Sequence, residues 1–120
     1  MRNLFIIILL LIGNVCLATN YYVSPTGSNS NSGTSTGSAW QTVSKVNSSM
    51  ASFNPGDFIL FERGGTYTGT LTVTRSGSAG NYITFGAYGS GALPKFTGTG
   101  STISQLVYVN NQDYIRFETM

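Results

Sequence analysis

Four side chains in this sequence can carry a negative charge into a reaction: Asp57, Glu62, Asp113 and Glu118. A glycosidase needs two carboxyl groups about 5–10 Å apart, one to protonate the leaving oxygen and one to attack or to activate water. Glu62 with Glu118 is the pair that could share a face. Asp57 closes the turn Asn54-Pro55-Gly56-Asp57, where a carboxylate ordinarily bonds nearby backbone N–H groups. The ordinary role of the other three is surface charge. A Ca²⁺ site takes about six to eight oxygens, usually from several carboxylates, and no acidic cluster occurs. There is no His, and the single Cys is Cys16, which excludes the usual zinc sites and a Cys–His nucleophile. Arg63-Gly64-Gly65 lacks the Lys-Ser/Thr that completes a phosphate-binding loop. These residues therefore assign no catalytic, cofactor-binding or metal-ligating position.

The aromatic residues have a second possible use. Tyr67, Tyr82, Tyr88, Tyr108 and Tyr114 fall mostly at outward phases of the strands read below. There they could stack on sugar rings or shield the sheet by cross-strand packing, and packing is the expected role. Trp40 reads as core. Asn47-Ser48-Ser49 has the form of a glycosylation acceptor, and its ordinary reading is a polar helix end.

Composition narrows the classes further. Only 8% of the 120 residues are charged, Gly occurs 15 times, and Ser with Thr makes a quarter of the chain. A coiled coil needs charged flanks, and collagen needs Gly at every third position; neither is present. Six Lys+Arg against four Asp+Glu give a net charge of +2, too little for a nucleic-acid binder. The aromatics and many β-branched residues argue against wholesale disorder.

Residues 1–18 read as an export signal: Arg2, the apolar run Leu4 to Ile12, then the small residues Cys16 and Ala18. Nine apolar residues make a helix of about 14 Å, short of a bilayer core of about 30 Å. No membrane span is expected after cleavage. Val15 disfavours a lipoprotein signal at Cys16. The mature part has neither Cys nor His, so no disulfide can support it.

Residues 19–57 divide into a strand at Tyr21-Tyr22-Val23, a Ser/Gly/Asn-rich loop of linker-like composition, and an amphipathic helix. Trp40, Val43, Val46, Asn47 and Met50 recur at helical steps, which predicts a helix over 40–51 with Ser38 as its N-cap. That helix should cover the open end of the domain, with Trp40, Val43 and Met50 inward. Residues 58–120 read as strands: 58–61, 70–74, 82–85, 95–97, 106–109 and 114–117. Ile59, Ile83 and Val107 lie 24 residues apart, and Val73, Phe96 and Phe117 lie 23 and 21 apart. Two interleaved series at one period predict a solenoid with two strands per coil. A β-sandwich of hairpins is the competing architecture, but no Asn-Gly or Asp-Gly turn occurs. The expected fold is all-β, a right-handed parallel β-helix with a short N-terminal capping helix.

Segments 21–34, 39–47, 54–67 and 76–91 together resemble the opening of secreted bacterial right-handed parallel β-helix proteins of the pectate-lyase-like superfamily. The resemblance spans about residues 21–98. It departs at Asn29, where that opening often carries Asp, which argues against a cation in this loop. It implies a polysaccharide partner and either lyase or glycoside-hydrolase activity in the whole protein. The alternative is a non-enzymatic surface adhesin or glycan-binding stalk. Lyases of the superfamily use a Lys or Arg base and often Ca²⁺, on middle coils beyond Met120, so no cofactor is expected within residues 1–120. The coil strand at 114–117 without a closing segment leads to the expectation that the first coils continue past residue 120. The expected product is secreted or displayed at the cell surface; its oligomeric state is not legible.

Overall fold

A computed structural model describes residues 17–98 and 106–120. The export signal expected over 1–18 therefore lies, but for its last two residues, outside the described part. Among the described residues eight strands follow one another: β1 Asn20–Val23, β2 Phe58–Glu62, β3 Thr66–Thr68, β4 Leu71–Val73, β5 Ile83–Tyr88, β6 Lys95–Thr97, β7 Val107–Val109 and β8 Ile115–Phe117. One helix, α1 Val43–Ser48, precedes β2, and 3-10 turns lie at Thr36–Ser38 and Met50–Ser52.

All strand pairs are parallel and fall into three ladders: β1-β2-β5-β8, β3-β6 and β4-β7. The chain passes from one face to the next and then stacks on itself, so the fold is a parallel β-helix. Alternation does the sorting. In β2, Ile59 and Phe61 are buried while Phe58, Leu60 and Glu62 are partly exposed. Leu71 and Val73 of β4 and Ile83 and Phe85 of β5 complete the same interior.

The coil has three faces, not two. Thr66–Thr68 is a strand of its own, joined to β4 through Gly69 at φ 114°, a conformation that glycine adopts without strain. The expected stacking series is thereby corrected. Ile59 stacks on Phe85 rather than Ile83, and Val107 stacks on Leu71. Ile83 and Val107 belong to different ladders, as do Val73, Phe96 and Phe117. True coil lengths are unequal because the corner loops differ: 26 residues from Ile59 to Phe85 and 36 from Leu71 to Val107.

The end of the solenoid is covered in two ways. β1 adds a strand to the first ladder, in register from Asn20↔Phe58 to Val23↔Phe61. α1 lies over β4, where Asn47 mimics a neighbouring strand. Its Nδ2 donates to the Thr70 carbonyl at 2.8 Å, and its Oδ1 accepts from the Thr72 N–H at 2.9 Å. The glycosylation reading of Asn47 fails for that reason, since both ends of the amide are engaged. The helix is also shorter than predicted. Trp40 forms a parallel bridge with Val23, giving its N–H to the Tyr22 carbonyl and accepting from the Ser24 N–H. The N-cap is Thr42, whose hydroxyl accepts from the Lys45 N–H at 3.1 Å, not Ser38. Trp40, Val43, Val46 and Met50 are nonetheless buried, as the periodicity requires.

Candidate functional site

The carboxylates go to four different environments. Asp57 is buried and structural: Oδ1 accepts from the Thr19 N–H and Oδ2 from the Asn54 N–H, both at 2.8 Å. It fastens the chain before β1 to the turn before β2. Glu118 pairs with Arg116 at 3.5 Å, with both side chains about half exposed. Asp113 is exposed, and its backbone N–H donates to the Ser76 hydroxyl at 3.0 Å. Glu62 ends β2 and points outward beside Tyr88, its register partner on β5. Glu62 and Glu118 lie on rows separated by β5, roughly 10 Å apart by strand spacing alone, and they have different side-chain neighbours. Among the described residues no group of three His, Cys, Asp or Glu could hold a metal ion.

The aromatic residues divide between core and surface. Tyr67, expected outward, is buried at 2% exposure. The burial pattern of β3 is outward-inward-outward, and the Tyr67 hydroxyl reaches the carbonyls of Val23 and Glu62 at 3.0 and 3.1 Å. Burial above all holds the phenol well above its ordinary pKa, opposed by the bond to the Glu62 backbone and helped by the charges of Tyr88 and Glu62. Tyr82 has the Arg116 guanidinium over its ring at 4.5 Å and the Tyr114 ring edge-on at 5.9 Å. Tyr108 and Tyr114 are exposed. Tyr88 meets Tyr22 edge-to-face at 5.1 Å. Its pKa is raised by burial and by Glu62, while the Ser24 hydroxyl acts in the lowering direction.

The Ser/Gly/Asn loop is a built element rather than a linker. Asn29 Oδ1 accepts from the N–H groups of Gln41 and Thr42, and its Nδ2 donates to the Thr42 hydroxyl at 2.9 Å. Asn31 donates to the Ala39 carbonyl and accepts, through its own carbonyl, from the Trp40 indole at 2.9 Å. Two glycines permit the fold-back. A Cβ on Gly27 would lie 2.4 Å from the Trp40 carbonyl oxygen, and one on Gly33, at φ 77°, 2.4 Å from the Trp40 ring. Sequence reasoning missed the loop because its composition matches flexible linkers. The signal available was the Asn spacing and the nearby Trp.

Together the loop and the ends of β2 and β5 enclose a polar cleft of about 310 Å³, lined by Ser24, Thr26, Asn31, Thr36, Glu62 and Tyr88 among others. A second recess, of about 230 Å³, lies beside Tyr82, Thr84 and Arg116. Both open on the outward side of the four-stranded ladder.

No family model matches the sequence. Pectate lyase L of Dickeya dadantii (strain 3937) is 35% identical over 74 residues, which are 62% of this chain and 15% of that protein. The crystal structure of GH136 lacto-N-biosidase from Eubacterium ramulus superposes with a TM-score of 0.59 at 33% identity, over 63% of this chain and 12% of the other. Pectate lyase Pel9A superposes with a TM-score of 0.54 at 25% identity, over 90% of this chain and 28% of the other. The chain thus spans about 15% of the length of the curated relative it matches.

Proposed function

We propose that this chain, a pectate-lyase-like parallel β-helix, supplies the N-terminal cap and first coils of an exported protein that acts on or binds polysaccharide. The observation that carries the reading is a stretch of about three fifths of the chain shared with carbohydrate-active proteins. It aligns at 33–35% identity with a pectate lyase and with a lacto-N-biosidase. Two carbohydrate-active proteins sharing similarity with this chain point to carbohydrate as the common partner, without choosing the linkage. Export is supported by the signal pattern of residues 1–18. Among the described residues no helix is long and apolar enough to cross a membrane.

The geometry fits binding better than chemistry within these coils. Glu62 and Glu118 are not gathered around one cleft, and each has other neighbours. Affinity electrophoresis of the full 120-residue chain through gels holding polygalacturonate, xylan or galactan tests the reading. Retardation by at least one polysaccharide is expected. Unchanged mobility in all three would count against a carbohydrate partner.

A further inference from the structure

The loop after β1 leaves the sheet at Ser24 and returns at the Val23–Trp40 bridge. On the way it walls the 310 Å³ cleft against the sheet. Ligand clefts begin at roughly 300 Å³, so this one suits a single small ring rather than an extended chain.

Its chemistry is one-sided. The floor is Glu62 and Tyr88, the last residues of β2 and β5. The walls are the hydroxyls of Ser24, Thr26 and Thr36, the Asn31 amide and glycine backbone. No Lys or Arg lines it. Arg63, next to Glu62 in sequence, turns its Nη1 to the Gly91 carbonyl at 3.2 Å. Among the described residues the one ion pair is Arg116–Glu118, so no Lys or Arg forms an ion pair with Glu62. One carboxylate is also far short of the oxygen set that Ca²⁺ requires. The Tyr88 hydroxyl bonds the Glu62 carboxylate and the Ser24 hydroxyl, and Ser24 bonds Thr26 at 3.0 Å. What the cleft offers is therefore the remaining acceptor sites of Glu62, a prearranged polar wall and the flank of a tyrosine held against Tyr22. Such a surface takes donors on a compact uncharged body and repels a carboxylate.

We infer that this cleft is a subsite for one neutral sugar unit, whose hydroxyls donate to Glu62 while its apolar face lies along Tyr88. The inference rests on the carbohydrate reading above and deepens it by choosing neutral sugar over uronate at this position. The loop hydrogen bonds at Asn29 and Asn31 prebuild the wall, so binding orders little chain.

The test is backbone-amide NMR titration of the full chain with lactose, cellobiose and digalacturonate in turn. A neutral disaccharide should shift the amides of Gly27, Asn31 and Tyr88, with digalacturonate roughly tenfold weaker there. Glu62→Gln keeps the shape and removes the charge, so it should erase that preference. Tyr88→Ala removes the ring along which the sugar lies and should weaken neutral binding by several-fold. Circular dichroism of each variant confirms the fold. Two results overturn the inference while leaving the carbohydrate reading intact. One is polysaccharide retardation with shifts confined to the Tyr82–Arg116 recess. The other is digalacturonate binding in the cleft as tightly as the neutral sugars. Retardation in no gel together with no shift from any sugar overturns both.

Discussion

Tyr67 ties the first coil to the cap with one oxygen. Its hydroxyl sits between the carbonyls of Val23, the last residue of β1, and Glu62, the last of β2. Its ring meets Phe61 and Phe96 at 5.0 and 5.6 Å. An ionised phenol there would lose its donor and face two carbonyl oxygens in a buried site. The folded pKa therefore lies above the ordinary value of 10.0, and burial raises Tyr21 and Tyr88 in the same direction. By linkage, the folded state gives up its phenol protons later than the unfolded chain does. The phenols' contribution is therefore constant below about pH 10, where they are neutral in both states, and it is lost once the unfolded phenols ionise first. Urea denaturation midpoints should hold steady from neutral pH to about 10 and decline beyond it. Tyr67→Phe should cost about 1–2 kcal/mol at neutral pH, since two carbonyls lose their donor, and should make the alkaline decline shallower. A decline of unchanged steepness in Tyr67→Phe would show that Tyr67 is not its source.

At the scale of elements, α1 illustrates what periodicity can and cannot locate. The apolar steps from Trp40 to Met50 were legible as one covered face, and those residues are indeed buried. The start was not legible. The backbone of Trp40 is drawn into strand pairing with Tyr22 and Ser24, whose distance in sequence hides the contact. The helix owes its docking to Asn47, which bonds the Thr70 carbonyl and the Thr72 N–H on either side of Leu71. Leu71 itself points into the core. Asn47→Ala removes the donor and the acceptor together and should cost about 1–3 kcal/mol. Asn47→Asp keeps the acceptor for the Thr72 N–H but turns a carboxylate oxygen toward the Thr70 carbonyl, so it should recover none of that loss. Hydrogen exchange at the Thr72 amide should quicken in Asn47→Ala and not in Asn47→Asp. Equal protection in all three proteins would mean that α1 docks through Val43 and Val46 alone.

Over the whole molecule, the strands were legible wherever alternation ran for more than a few residues, and the solenoid followed from their repetition. β3 was hidden because Thr-Tyr-Thr between Gly65 and Gly69 is too short to show a period. The ladders were hidden because loops of unequal length separate like strands, so spacing could not say which face each belonged to. The cleft was hidden because its wall is a loop whose order comes from contacts with Trp40 and Thr42 rather than from its own composition. The stacked architecture has an energetic consequence, since in a solenoid each layer is stabilised mainly by its neighbours. β2 and β5 each have a strand on both sides, whereas β8 pairs only with β5 among the described residues. Phe85 and Phe117 stack ring on ring at 5.4 Å, yet Phe85 is fully buried and Phe117 is 44% exposed. Phe85→Ala opens a cavity between layers and should cost about 3–5 kcal/mol. Phe117→Ala removes partly wetted area and should cost less than about 2 kcal/mol. Urea denaturation of the two variants measures the difference, and amide exchange should be slower in β2 than in β8. Equal losses from the two substitutions would show that the layers do not differ in stability as their burial requires.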